Sequence, residues 1–171
     1  MTVFFRIITL LATFYLPCFA QAQVCQNTIA TSASSVFFET SESHTLADKR
    51  TNIVWSRCAV GQHWQSGQCA GIPSLLSFSA AKMAVDKSAA AENLRWRMPT
   101  MSELSLLVEL RCYNPAIDLD LFPNTPSGSF WTRTRFVNKT KHHWQIQFRF
   151  GANLAGKDSS EAYLRLVRDR N

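Results

Sequence analysis

The strongest constraint on this chain is the position of its cysteines relative to an amino-terminal export pattern. Arg6 precedes ten almost wholly apolar residues, Ile7 to Leu16, followed by Pro17 and then Ala20-Gln21-Ala22. A basic start, an apolar run and small residues at minus three and minus one are the parts of a cleavable signal peptide. Residues 1–22 are therefore expected to leave, with Gln23 as the mature terminus. A membrane anchor would need roughly 20 apolar residues, and Thr9, Thr13 and Pro17 interrupt a shorter run. Lipidation at Cys18 is the other alternative, but Tyr15-Leu16-Pro17 lacks the small residues expected before a lipid-bearing cysteine.

Of five cysteines, Cys18 leaves with this segment, and Cys25, Cys58, Cys69 and Cys112 remain. An even number of cysteines in an oxidising compartment predicts two disulfides. Cys58 and Cys69 enclose a short loop containing Gly61 and Gly67, which reads as a hairpin tip. We pair them, and Cys25 is left to join Cys112. No CxxC spacing supports zinc. His142 and His143 would point to opposite faces of a strand, so no metal or cofactor is expected.

The 149 residues after Ala22 make one typical domain. They hold seventeen basic and twelve acidic residues, a net charge of +5, together with all five tryptophans. That charge permits attraction to polyanions, and an exported protein is not expected to meet nucleic acid. No later segment is apolar and long enough to span a bilayer. The location read from this pattern is the periplasm, the cell surface or the medium.

Residues 23–35 are small and polar and read as a loose arm tied at Cys25, with one domain over 36–171. Val36-Phe37-Phe38 and Asn52-Ile53-Val54-Trp55 are strand candidates. From Ser77 to about Asn93, Phe78, Ala81 and Val85 recur on one helical face. Thr100-Met101-Ser102-Glu103 is a capping box. The helix it starts is expected to carry Leu104, Leu107, Val108 and Cys112 on one stripe, ending at Asn114-Pro115. Phe130 to Phe136, Trp144 to Phe150 and Tyr163 to Val167 read as strands. Two helices packed on a small antiparallel sheet, with long irregular loops, make an α+β domain.

Six phrases resemble the Lcl C-terminal domain family. They are Trp55-Ser56-Arg57-Cys58 with the Gly61 to Gly71 loop, Trp96-Arg97-Met98-Pro99-Thr100 with Glu103-Leu104, Asn114 to Asp118, Phe122 to Pro126, Phe130-Trp131-Thr132, and Leu166-Val167-Arg168. They run in the family's order over roughly 36–169. The resemblance implies an exported bacterial domain with a fold related to C-type lectin-like domains and to the formylglycine-generating enzyme. Some members of the family are parts of surface adhesins. It implies no catalytic residue.

No G-x-S-x-G or comparable nucleophile context occurs, and the mature cysteines have a use as staples, so no catalysis is expected. A basic surface is the better candidate site. Arg133 and Arg135 share a strand face with Trp131 by alternation, Lys139 and Lys141 follow in a turn, and Arg149 lines the next strand. Guanidinium groups hold sulfate or carboxylate with paired donors, and an exposed tryptophan can stack on a sugar. The same residues also read as an ordinary solvated sheet face, with Trp131 buried. Two functions follow: a non-catalytic envelope module binding carbohydrate or anionic polysaccharide, or a structural or assembly component binding another envelope protein.

Overall fold

Ile53-Val54-Trp55 opens one of the two longest strands because β-branched and aromatic side chains suit a pleated, covered surface. The structure, a computed structural model, describes residues 22–32, 38–39 and 42–170. The signal pattern before Ala22, and Val36-Phe37 of the first strand candidate, lie outside the described residues.

In chain order the elements are β1 (Val24–Cys25), β2 (Phe38–Glu39), β3 (Thr45–Asp48), β4 (Ile53–Ala59), β5 (His63–Gln65), β6 (Gln68–Ala70), α1 (Phe78–Glu92), α2 (Met101–Ser105), β7 (Cys112–Tyr113), β8 (Ser129–Arg135), β9 (His142–Gln147), β10 (Ala152–Lys157) and β11 (Arg165–Asp169). They form four antiparallel sheets among the described residues. One is four-stranded, β11-β4-β3-β2, and one three-stranded, β10-β9-β8; β1-β7 and β5-β6 are two-stranded. The chain is thus α+β, with several small sheets where one was expected.

Two apolar clusters hold these pieces together. The larger joins both main sheets through Trp55, Leu104, Leu107, Ile117, Phe122, Phe130, Ile146 and Phe148, each fully buried. The second lies under α1 and contains Ala81, Trp96, Met98, Trp131 and Leu164. Because β8 contributes Phe130 to the first cluster and Trp131 to the second, it is covered on both faces at that end.

The disulfides are Cys25–Cys112 and Cys58–Cys69. By loop-closure entropy they stabilise by about 4–5 and about 3 kcal/mol respectively. Cys58 sits in β4 and not beside a hairpin tip. The tip is Ser66-Gly67, both at positive φ, as tight hairpin turns require, and the bridge ties β6 back to β4.

Ser77 caps α1, and Asn93 closes it in the left-handed conformation. The capping box at Thr100 also forms, with Thr100 Oγ1 accepting from Glu103 N–H and the Glu103 carboxylate accepting from Thr100 N–H, worth about 1 kcal/mol. The helix it starts does not reach Cys112. After Ser105 the amides of Leu106, Leu107 and Val108 bond three residues back, and Glu109 N–H donates to Ala116 O. Leu104, Leu107, Val108 and Cys112 are still buried, but on a tightened turn and a strand. Cys112 pairs opposite Cys25 in β1-β7, so this long-range pairing replaces the helix.

Glu109 is fully buried and accepts from Thr31 Oγ1 at 2.6 Å, from Ser32 and from Arg111 N–H. Gln23 Nε2 donates to Pro115 O and Ile117 O. Residues 23–32 of the amino-terminal arm are therefore held at both ends as well as at Cys25.

Candidate functional site

The Trp96-Arg97-Met98-Pro99-Thr100 phrase is a clip, and it positions the site. Trp96 is buried and its Nε1–H donates to Glu92 at 2.7 Å. Arg97 forks onto both Glu103 oxygens at 2.9 and 2.8 Å and reaches Asp169 at 2.7 Å. The Glu103 bonds, the largest cause, raise the Arg97 pKa despite burial. Burial works against the Glu103 charge, yet the donors on Arg97 and Thr100 hold its pKa below the ordinary value. The phrase then fastens β8: Arg133 N–H donates to Pro99 O at 2.8 Å, and Met101 N–H donates to Thr134 Oγ1 at 2.9 Å.

Where β8 and β9 meet the start of α1, three distant segments interlock. His143 is buried, its Nδ1 lies 2.7 Å from Asp158 Oδ1, and its ring stacks on Phe78 at 3.6 Å. Phe78 N–H donates to Asp158 O, and Asp158 N–H donates to Lys141 O. Two clefts open on either side of this knot and share Arg135, His143 and Asp158. One, of about 400 Å³, has Phe78, Val85 and Met98 as apolar wall and Lys82, Arg133 and Arg135 as cations. The other, of about 560 Å³, runs along the 136–142 turn past Lys139 and Lys141.

Arg133, Arg135, Lys139 and Lys141 are exposed and converge on this double cleft. Among the described residues none of them has a carboxylate partner. Acidic groups are present in the walls, Asp86 and Asp158, and the latter is engaged by His143.

Two expected site residues are misplaced. Trp131 is fully buried, packed edge-on to Phe78, with its Nε1–H donating to Leu76 O at 2.7 Å. It cannot stack on a ligand. Simple alternation fails because α1 covers the second face of β8, and because four steps of β8 pass two of β9 between Trp131 and Arg135. Arg149 does not join the patch. It lies past the opposite end of the hairpin, over the Phe150 ring at 5.2 Å, beside Val24 and Tyr113. Gln145, on the neighbouring strand β9, is 5 % exposed. A Cβ on Gly156 would come within 2.1 Å of its Nε2, so glycine is what lets β10 lie over it.

Sequence reasoning missed Lys82 and the Phe78–His143–Asp158 knot. Lys82 falls on the flank of a helix read for its apolar face, and no local pattern links residues 78, 143 and 158. The two histidines do part company: His143 turns to Asp158, and His142 Nδ1 lies 2.7 Å from Thr140 O. Among the described residues no group of three or more metal-ligating side chains gathers.

Comparison with curated proteins gives no match. The family description "Lcl C-terminal domain" matches residues 44–168. That span contains β3 to β11, all but the last residue of which lies within it, together with both α-helices, the clip and the double cleft. The chain belongs to the Lcl C-terminal domain family.

Proposed function

We propose that the protein is an exported, non-catalytic binding module of the cell envelope, and that its double cleft takes an anionic carbohydrate. The observation that carries this reading is the set Lys82, Arg133, Arg135, Lys139 and Lys141. Lys82 on α1, Arg133 and Arg135 on β8, and Lys139 and Lys141 in the turn that follows gather beside an apolar wall, and among the described residues none of them is ion-paired. Two guanidinium groups present paired donors to sulfate or carboxylate, and the half-buried Phe78 and Val85 give the cleft an apolar side for a sugar ring. The relation to C-type lectin-like domains that the family implies agrees with this reading. Export is supported by the two disulfides, which persist in oxidising compartments, and by the amino-terminal pattern. Among the described residues no helix is long and apolar enough to cross a membrane.

The test is a glycan and glycosaminoglycan array at two salt concentrations. Binding of sulfated or uronic-acid polysaccharide should fall steeply with salt, because exposed charges are screened within about 8–10 Å. The pair Arg133→Ala and Arg135→Ala should weaken it at least tenfold, about 1.4 kcal/mol. Salt-independent binding of neutral sugars, or no binding above background at low salt, refutes the reading.

A second reading, an assembly component that binds another envelope protein, is supported by a different surface: the exposed apolar side chains around the Cys25–Cys112 bridge.

A further inference from the structure

We infer that the surface around Cys25–Cys112 docks a protein segment that is apolar and carries carboxylates. The inference rests on the assembly reading and is independent of the anion cleft. Val24, Ile29, Leu110, Tyr113 and Phe150 are 44, 43, 75, 44 and 62 % exposed. They line two adjoining hollows of about 360 and 300 Å³ that share Tyr113 and Phe150. Large apolar side chains exposed singly are ordinary; a contiguous group marks an interaction site.

The surface is built rigidly. Val24 pairs opposite Tyr113, and the adjacent Cys25 and Cys112 are bridged. Asn114 N–H donates to Arg149 O at 2.9 Å, which brings the Tyr113 and Phe150 rings into a stack at 6.5 Å. Beneath them Gly151 passes so close to Val108 that an added Cβ would stand 2.5 Å from its Cγ1. A rigid aromatic surface loses little entropy on binding, and aromatic residues with arginine are what protein interfaces favour.

Charge selects the occupant. Arg149 lies over Phe150, and Arg111 lines the second hollow. Among the described residues no acidic one lines either hollow. The neighbouring carboxylate, Glu109, is fully buried, bonded to Thr31 and Ser32, and lies 3.8 Å from Arg111 Nε, so Arg149 is the cation of this surface without an ion-pair partner among the described residues. A partner with Asp or Glu beside its apolar residues complements this surface. A second copy would set Arg149 against its own kind.

The exported protein can be tested on an array of immobilised apolar nine-residue peptides, each bearing either two acidic or two basic residues. The acidic set should bind at least tenfold more tightly. Phe150→Ser or Leu110→Asp should remove that binding, Arg149→Glu should reverse the preference, and each variant should keep its Tm. Equal or stronger binding of the basic set overturns the acidic assignment and leaves a docking surface. Binding of neither set overturns the assembly reading too. Phe150-dependent self-association in sedimentation, or Phe150-dependent capture by phosphatidylglycerol vesicles, would replace the partner and likewise overturn the inference.

Discussion

Arg165 and Arg133 carry the same charge and are placed in opposite ways. Arg165 is 1 % exposed, donates to Ser56 O, Arg57 O and Thr125 Oγ1, and lies over the rings of Phe122 and Phe130. Burial pushes its pKa down to about 9, which still leaves it charged at neutral pH. Nearby, Arg57 donates to Leu121 O and Asp120 O and covers Trp64 at 4.1 Å. These arginines fasten the 118–126 loops to β4. Arg133 and Arg135, on the other main sheet, are exposed with no ion-pair partner among the described residues. The lesson is that net charge says little here until each cation is sorted by its acceptors.

The largest expected effect is on the buried side. Arg165→Ala should lower stability by about 3–5 kcal/mol, as for other large buried side chains, because it opens a cavity and removes the donor to the Ser56 and Arg57 carbonyls, while Thr125 Oγ1 keeps its bond to Phe122 O. Urea unfolding measures this, and a loss below about 1 kcal/mol would break the distinction.

A smaller effect concerns the Arg97–Glu103 clip. The folded pKa of Glu103 lies below its ordinary value of 4.5, so the native state binds fewer protons than the unfolded chain between the two values. Its stabilisation is complete above 4.5 and is lost as pH falls through the folded value. Urea midpoints from pH 7 to 2.5 should show this acid loss in the wild type and a shallower one in Glu103→Gln. Parallel curves would place the clip's stability elsewhere.

The smallest expected effect is on the free side. Arg133→Ala with Arg135→Ala should move stability by no more than about 0.5 kcal/mol, even as it weakens polyanion binding. A marked loss of stability would move these two arginines into the same class as Arg165.

Local features were legible in the sequence because their causes are local. The Thr100 capping box and the helix from Ser77 to Asn93 follow from side chains within four residues of the amides they serve. The disulfide pairing followed from one short loop and its remainder, and the family from phrases whose members now prove to be clips, caps and core.

What the tertiary structure decided is which faces are covered and by what. The stripe Leu104, Leu107, Val108, Cys112 suits a helix, yet β1 and the Ala116 carbonyl offer better partners, and α2 stops at Ser105. Alternation along β8 cannot reveal that α1, some fifty residues earlier, lies over Trp131. Nor can it show that Arg149 ends beside Val24 while Lys82 arrives beside Arg133. Periodicity reports that a face is apolar or polar. Only long-range packing fixes its neighbour, and here the neighbour separates the cations that build the fold from those that are left for a ligand.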